Sequence, residues 1–211
     1  MKVCEIFTSI QGESSYAGHI CTFIRLSGCN LRCSYCDTRY AYDEGTELTE
    51  SEIISEVSIV GVNTVAITGG EPLLQEDVLH LVERLINQGH KLLIETNGSV
   101  SIKDVDPRAV IVMDVKTPGS GMADGLDFSN LSFLKTFDEV KFVITDRADY
   151  VWSREFIKEH RLLSRCKVLF SPAFGTLEPA ALAEWMIEDR LDVLFNLQLH
   201  KYIFGPNRRR V

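Results

Sequence analysis

Three cysteines stand close together in the segment Cys29-Asn30-Leu31-Arg32-Cys33-Ser34-Tyr35-Cys36. Gaps of three and then two residues let three thiolates serve one metal centre. A closed zinc or iron–sulfur site takes four protein ligands. With three, a four-iron cluster keeps one iron free of protein, and an exogenous molecule can bind there. Spacing alone leaves two other readings open: a structural zinc knuckle with a distant fourth ligand, or three unrelated core thiols. Cys4, Cys21 and Cys166 are scattered among apolar residues and read as small buried side chains.

The elements that must position this loop alternate between strand and helix. Strands are expected over 3–7, 21–26, 64–67, 91–94, 109–113, 140–144, 167–170 and 193–199. Helices are expected over 50–60, 78–87, 150–159 and 179–187. Thr49 with Glu52 three residues on forms a capping box at the first helix. In the second, Leu79, Val82, Leu85 and Ile86 share a face and Gly89 stops the run. Such alternation implies a parallel sheet of right-handed βαβ units. About six strands in the series and 211 residues fall short of the ~250 typical of a full eight-stranded barrel. The expected fold is therefore α/β: an incomplete parallel barrel in a single domain, 1–211, with a doubly wound open sheet as the alternative from pattern alone. Polar and glycine-rich segments follow the strand ends, the face where such folds place their sites. One of them is Thr68-Gly69-Gly70-Glu71-Pro72, whose glycines let a ligand approach the backbone; alone it also reads as a strand-to-helix turn. The segment 119–130 reads as loop. Arg25 by itself reads as a residue on a solvated face.

Composition narrows the function classes. A net charge of −8 argues against a general nucleic-acid binder, which needs a basic face. The only basic run is Arg208-Arg209-Arg210, by default a solvated tail. No apolar stretch nears the ~20 residues of a membrane helix, and Met1 leads into an amphipathic segment with no export signal. Six cysteines without such a signal fit a reducing, cytoplasmic setting.

Cys29-x-x-x-Cys33-x-x-Cys36 with the downstream Gly-Gly-Glu-Pro resembles the radical S-adenosylmethionine superfamily. The resemblance implies a 4Fe–4S cluster on the three cysteines, with S-adenosylmethionine chelating the fourth iron. One electron then yields a 5′-deoxyadenosyl radical that abstracts a substrate hydrogen. It implies that Tyr35 lies near the adenine and that Gly69, Gly70 and Glu71 approach the methionine amino group. Asp37 and the Asp114-x-Lys116 strand end are further expected cofactor contacts.

A narrower resemblance runs through nearly the whole chain. Ile10-Gln11-Gly12-Glu13, Arg25, Asp37-Thr38, Glu95-Thr96-Asn97-Gly98 and Gln198-Leu199-His200-Lys201 are similar to the 7-carboxy-7-deazaguanine synthase family of queuosine biosynthesis. That family converts 6-carboxy-5,6,7,8-tetrahydropterin to 7-carboxy-7-deazaguanine with loss of ammonia, uses magnesium and regenerates S-adenosylmethionine. The resemblance implies a trimmed barrel, a homodimer and an external donor of flavodoxin or ferredoxin type. Ile10, Gln11, Gly12, Glu13, Arg25, Thr68 and His200 are the expected substrate residues. Their chemistry fits: Gln11, Thr68 and His200 both donate and accept at a ring edge, and Arg25 carries a planar fork for a carboxylate. Thr38 offers the hard oxygen that magnesium prefers and is its one expected side-chain ligand. The pterin's amino-pyrimidinone edge suits a carboxylate. Val211 is expected to supply it if 201–211 folds back at Gly205-Pro206; Glu13 is the alternative if the arginines leave the tail free.

Two rivals remain at this point. A glycyl-radical activase would share the cysteine spacing, but Gln11, Arg25 and Asp37-Thr38 favour the pterin enzyme. A non-catalytic metal or electron-transfer module would want four protein ligands and leaves Gly69-Gly70-Glu71 unexplained.

Overall fold

The computed structural model describes residues 1–211. Nine strands form one sheet: β1 Lys2–Ile10, β2 Ile20–Leu26, β3 Thr46–Glu47, β4 Thr64–Gly69, β5 Lys91–Thr96, β6 Val110–Asp114, β7 Glu139–Ile144, β8 Lys167–Pro172 and β9 Leu194–Phe195. Their order is β3-β1-β2-β4-β5-β6-β7-β8-β9. From β2 to β9 every pairing is parallel, whereas β1 runs antiparallel to both β2 and β3. Helices α1 Glu50–Val60, α2 Val78–Asn87, α3 Arg147–Glu159, α4 Pro179–Glu188 and α5 Leu199–Phe204 complete the chain.

The parallel core and its helices follow the sequence pattern, and three features differ from it. The sheet has nine strands where eight were expected along the chain, because a two-residue β3 pairs beside β1, which itself continues to Ile10. The expected strand over 193–199 shrinks to two residues, since the Asn196 backbone and side-chain oxygens turn to the Ser171 hydroxyl, and the next residues begin α5. The 119–130 loop contains short 3-10 turns. At α1 the capping box forms as expected: Thr49 Oγ1 accepts from the Glu52 amide, and the Glu52 carboxylate accepts from the Thr49 amide at 2.7 Å.

Strand alternation sorts the side chains into two cores. The larger lies between sheet and helices. Ile24, Ile67, Ile94, Phe142 and Phe170 meet Ile53 and Val57 of α1, Leu81 and Leu85 of α2, Tyr150 and Phe156 of α3, and Leu182 of α4. Burying each large apolar side chain contributes roughly 1.5–3 kcal/mol. The smaller core fills the concave side: Phe7, Cys21, Phe23, Ala66, Leu93, Val110 and Val112. Phe7 and Phe23 stack with ring centres 5.0 Å apart. One step further along each strand on that side, the residue type changes to Arg25, Thr68, Glu95, Asp114 and Lys141. An apolar floor thus lies beneath a polar mouth at the strands' C-terminal ends.

Candidate active site

The cysteine loop is the direct exit of β2 and is held from three sides. The Ser27 amide donates to the Lys2 carbonyl and the Gly28 amide to that of Ala41. The Ser34 amide and hydroxyl donate to the Ser120 and Gly119 carbonyls at 2.9 and 2.8 Å. Asp149, buried on α3, fixes that second segment by accepting from the Gly119 amide and the Thr117 hydroxyl. Asn30 reaches Ser99 and Asn97. Cys29, Cys33 and Cys36 are half-buried free thiols on one cleft. The three are not grouped tightly enough to hold one metal ion together. A cluster does not require that, since each thiolate binds its own iron. The Leu31 amide donates to Cys29 Sγ at 3.4 Å, a bond that suits a thiolate. The other thiols lie away from the cleft. Cys21 and Cys166 are buried, which pushes each up to about 12.

The Gly69-Gly70 turn owes its glycines first to this loop. A Cβ on Gly70 would lie 2.1 Å from the Gly28 carbonyl oxygen and 2.6 Å from Cys29 Cβ. The Glu71 amide donates to the same Gly28 carbonyl at 2.8 Å. Both glycines line the cleft, but Glu71, expected to touch the cofactor, does not. Its side chain is fully buried, accepting from the Thr96 hydroxyl and the Asn97 and Leu73 amides. It shapes the turn after β5 from behind the wall.

Every other expected site residue lines the cleft: Ile10, Gln11, Gly12, Glu13, Arg25, Tyr35, Asp37, Thr38, Thr68, Asp114, Lys116, His200 and Val211. At one end, the Tyr35 hydroxyl and Asp114 Oδ1 are buried and have no partner. Lys116 pairs with Asp114 at 2.9 Å. Burial opposes the Lys116 charge, but Asp114, Tyr35 and Cys33 together outweigh it and raise the pKa. Two orphaned oxygens beside a held cation offer hydrogen-bonding capacity to a polar ligand such as a nucleoside. Beside a three-thiol loop, this donor set fits a cluster with S-adenosylmethionine.

At the other end lies a set of paired charges. Glu95, part of the Glu95-Thr96-Asn97-Gly98 motif but given no role from the sequence, accepts from Gln11 Nε2 at 2.9 Å and from Thr68 Oγ1 at 2.8 Å. Lys141, not singled out from the sequence, pairs with Glu13 and lies 3.4 Å from Asp114. Burial alone would raise the Glu13 carboxyl; Lys141, His200 and the Gln198 amide together hold it far below the usual range. Gln198 donates to Glu13 and accepts from Lys201, each at 2.8 Å, and Lys201 pairs with Asp37. Burial lowers the His200 pKa, so its ring is neutral near pH 7. Its Nδ1 sits where a Cβ of residue 12 would be, 2.0 Å from that position, so only glycine fits there. Thr38 occupies the N-cap position of the 39–42 turn but does not cap it. Its hydroxyl donates to Asp37 at 2.8 Å, leaving the oxygen's lone pairs free. Arg25 is not on a solvated face: its Nε donates to buried Glu5 at 2.8 Å.

Strand parity was the signal for Glu95 and Lys141. Each is a charged residue at an inward position near the middle or C-terminal end of a largely buried strand.

Residues 23–110 match the family model of the radical SAM superfamily. The chain is 44% identical over its full length to 97% of the 7-carboxy-7-deazaguanine synthase of Chlorobaculum tepidum, and 45% identical, end to end, to that of Koribacter versatilis. Among solved structures it is similar to QueE from Escherichia coli, with a TM-score of 0.78, 21% identity and 94% of each chain covered. Streptococcus suis SuiB, bound to its precursor peptide, matches 82% of this chain with 47% of its own (TM-score 0.60, 15% identity).

Proposed function

The chain belongs to the 7-carboxy-7-deazaguanine synthase family of the radical SAM superfamily, and from that membership we infer how its own residues divide the work. It is a radical SAM lyase that converts 6-carboxy-5,6,7,8-tetrahydropterin to 7-carboxy-7-deazaguanine with loss of ammonia. The observation that carries this reading is one cleft. Cys29, Cys33 and Cys36 face it together with Gln11, Arg25, Thr68 and His200, residues suited to holding a carboxylated ring.

Cys29, Cys33 and Cys36 would hold the 4Fe–4S cluster, and the cluster with S-adenosylmethionine supplies the radical that starts the reaction. Tyr35, Asp37, Gly69, Gly70, Asp114 and Lys116 are the proposed contacts to S-adenosylmethionine. Glu71 acts behind them by fixing the turn after β5. Arg25, gripped at Nε by Glu5, keeps its Nη donors for the substrate carboxylate. Glu95 orients Gln11 and Thr68. His200, neutral, both accepts and donates at the ring edge. Glu13, held ionised, and Val211 are the candidate partners of the amino-pyrimidinone edge. The Glu13–Lys141 and Asp37–Lys201 pairs keep these charges neutralised where water is thin.

Magnesium on Thr38 belongs to the same proposal and is supported by the hydroxyl's free lone pairs. So do a flavodoxin- or ferredoxin-type electron donor, a homodimer and a cytoplasmic setting. No helix is long and apolar enough to cross a membrane.

The test is anaerobic incubation of cluster-reconstituted protein with S-adenosylmethionine, magnesium, reductant and carboxytetrahydropterin. The product mass should show loss of ammonia. Cleavage of S-adenosylmethionine that leaves the pterin unchanged would reject the substrate, and a requirement for a partner polypeptide would favour an activase.

A further inference from the structure

The basic end of the chain is docked. Arg209 forms a two-pronged pair with Glu44, at 2.8 and 2.9 Å. Its guanidinium carbon also lies 3.6 Å from the centre of the Tyr40 ring. The Tyr40 hydroxyl donates to Glu5 Oε1 at 2.9 Å, and Arg210 lies 3.6 Å from Glu5 Oε2. That same Glu5 Oε1 takes the Nε–H of Arg25. Arg210 adopts a φ of 60°, a left-handed conformation that bulky residues avoid. Val211 beyond it lines the cleft. The last residues, the turn after the cysteines and the first strand thus meet in one network that ends on Arg25.

We propose that Arg209 and Arg210 are positioning residues. They hold 205–211 so that Val211 stays at the wall of the cleft and, through Glu5, keep Arg25 aimed into it. The proposal rests on the reading of that cleft as the pterin site. A single exposed ion pair holds little, but a planar fork that is bidentate and stacked on a ring holds more. Half-exposed as Arg209 and Glu44 are, the clamp weakens as salt rises.

The test measures hydrogen exchange in 205–211 and steady-state kinetics on the reconstituted protein. Arg209→Ala should speed exchange there roughly tenfold. It should raise the pterin KM about five- to tenfold while leaving kcat and the KM for S-adenosylmethionine unchanged. Arg209→Lys should recover part of both effects, since charge remains but the fork is lost. Glu44→Gln removes the partner instead and should reproduce Arg209→Ala, including where the latter folds poorly. Unchanged exchange in Arg209→Ala and Glu44→Gln, or faster exchange with an unmoved pterin KM, overturns the proposal. A parent protein inert toward the pterin sinks the functional reading instead, and exchange in 205–211 still decides whether the clamp exists.

Discussion

Gly12→Ala is a one-carbon change that should act on His200 alone. The added Cβ would lie 2.0 Å from His200 Nδ1 and 2.8 Å from its Cγ, whereas ordinary contact begins at 3.4 Å. The ring must therefore retreat by about 1.4 Å or the loop must lift. Lifting breaks the bond from the Leu199 amide to the Gly12 carbonyl, 2.9 Å. Overpacking of this kind costs about 1–3 kcal/mol of stability. A displacement of ~1 Å in a positioning group costs about 100-fold in rate, ~2.7 kcal/mol. The expected result is a roughly 100-fold fall in kcat/KM for the pterin, with iron and sulfide content unchanged, since no cysteine touches Gly12. The decisive assay is a double-mutant cycle. If the methyl acts through the imidazole, Gly12→Ala on top of His200→Ala should cost little more than His200→Ala alone. Additive losses would refute the reasoning, as would parent-like kinetics in Gly12→Ala.

Cys33→Ala should abolish the cluster and turnover while Cys166→Ala keeps both; a full complement of iron and sulfide in Cys33→Ala would contradict the ligand assignment. Thr38→Ala should lose most of the magnesium acceleration and weaken pterin binding, and an unchanged magnesium response would remove Thr38 as ligand. Lys141→Met leaves Glu13 ionised and buried without its main counter-charge, a loss of about 3–5 kcal/mol in denaturant unfolding; most of it should return in the Glu13→Gln, Lys141→Met pair, and no recovery would mean that the pair is not what holds the loop. His200 has a pKa below its usual 6.5 because of burial, so the unfolded chain takes up its proton first. Stability from this group is full above about pH 6.5 and falls as pH drops toward the lowered value. The midpoint of unfolding should decline over that window in the parent and not in His200→Asn; equal declines would show that the ring is not held neutral.

What could be read from the sequence is what neighbours in sequence determine. The α1 capping box joins residues three apart, and the cysteine loop is an eight-residue pattern. What could not be read depends on partners far along the chain. Lys141 is defined by Glu13, 128 residues away, and Arg25 by Glu5 across an antiparallel pair that the βαβ pattern does not announce. Gly70 was legible as a point of close approach, but not what approaches it: the backbone of the cysteine loop as well as any ligand. Glu71 belongs to the same motif, yet its carboxylate turns inward to three donors behind the wall, and burial still outweighs them and raises its pKa. The end of β9 misled because 193–199 has strand-forming types, while the Ser171 hydroxyl on β8 draws the Asn196 carbonyl away from a further ladder step.

The same long-range contacts explain how so short a barrel encloses a site. A full barrel closes its sheet with ladder hydrogen bonds. Here the edges are β3 and β1 on one side and a two-residue β9 on the other. Side chains and single backbone bonds span the gap between them. Away from the chain end, Asn196 Nδ2 reaches the Ser14 carbonyl, the Leu199 amide reaches the Gly12 carbonyl, and Gln198 reaches Glu13. At the rim, α5 leads the chain across to Glu44 and Glu5 beside β3 and β1. The inner bridges are buried or half-buried, where lower dielectric strengthens them and water competes less. The rim bridges are half-exposed and screened. Closure is therefore tight around Glu13 and Gln198 and weak at Arg209.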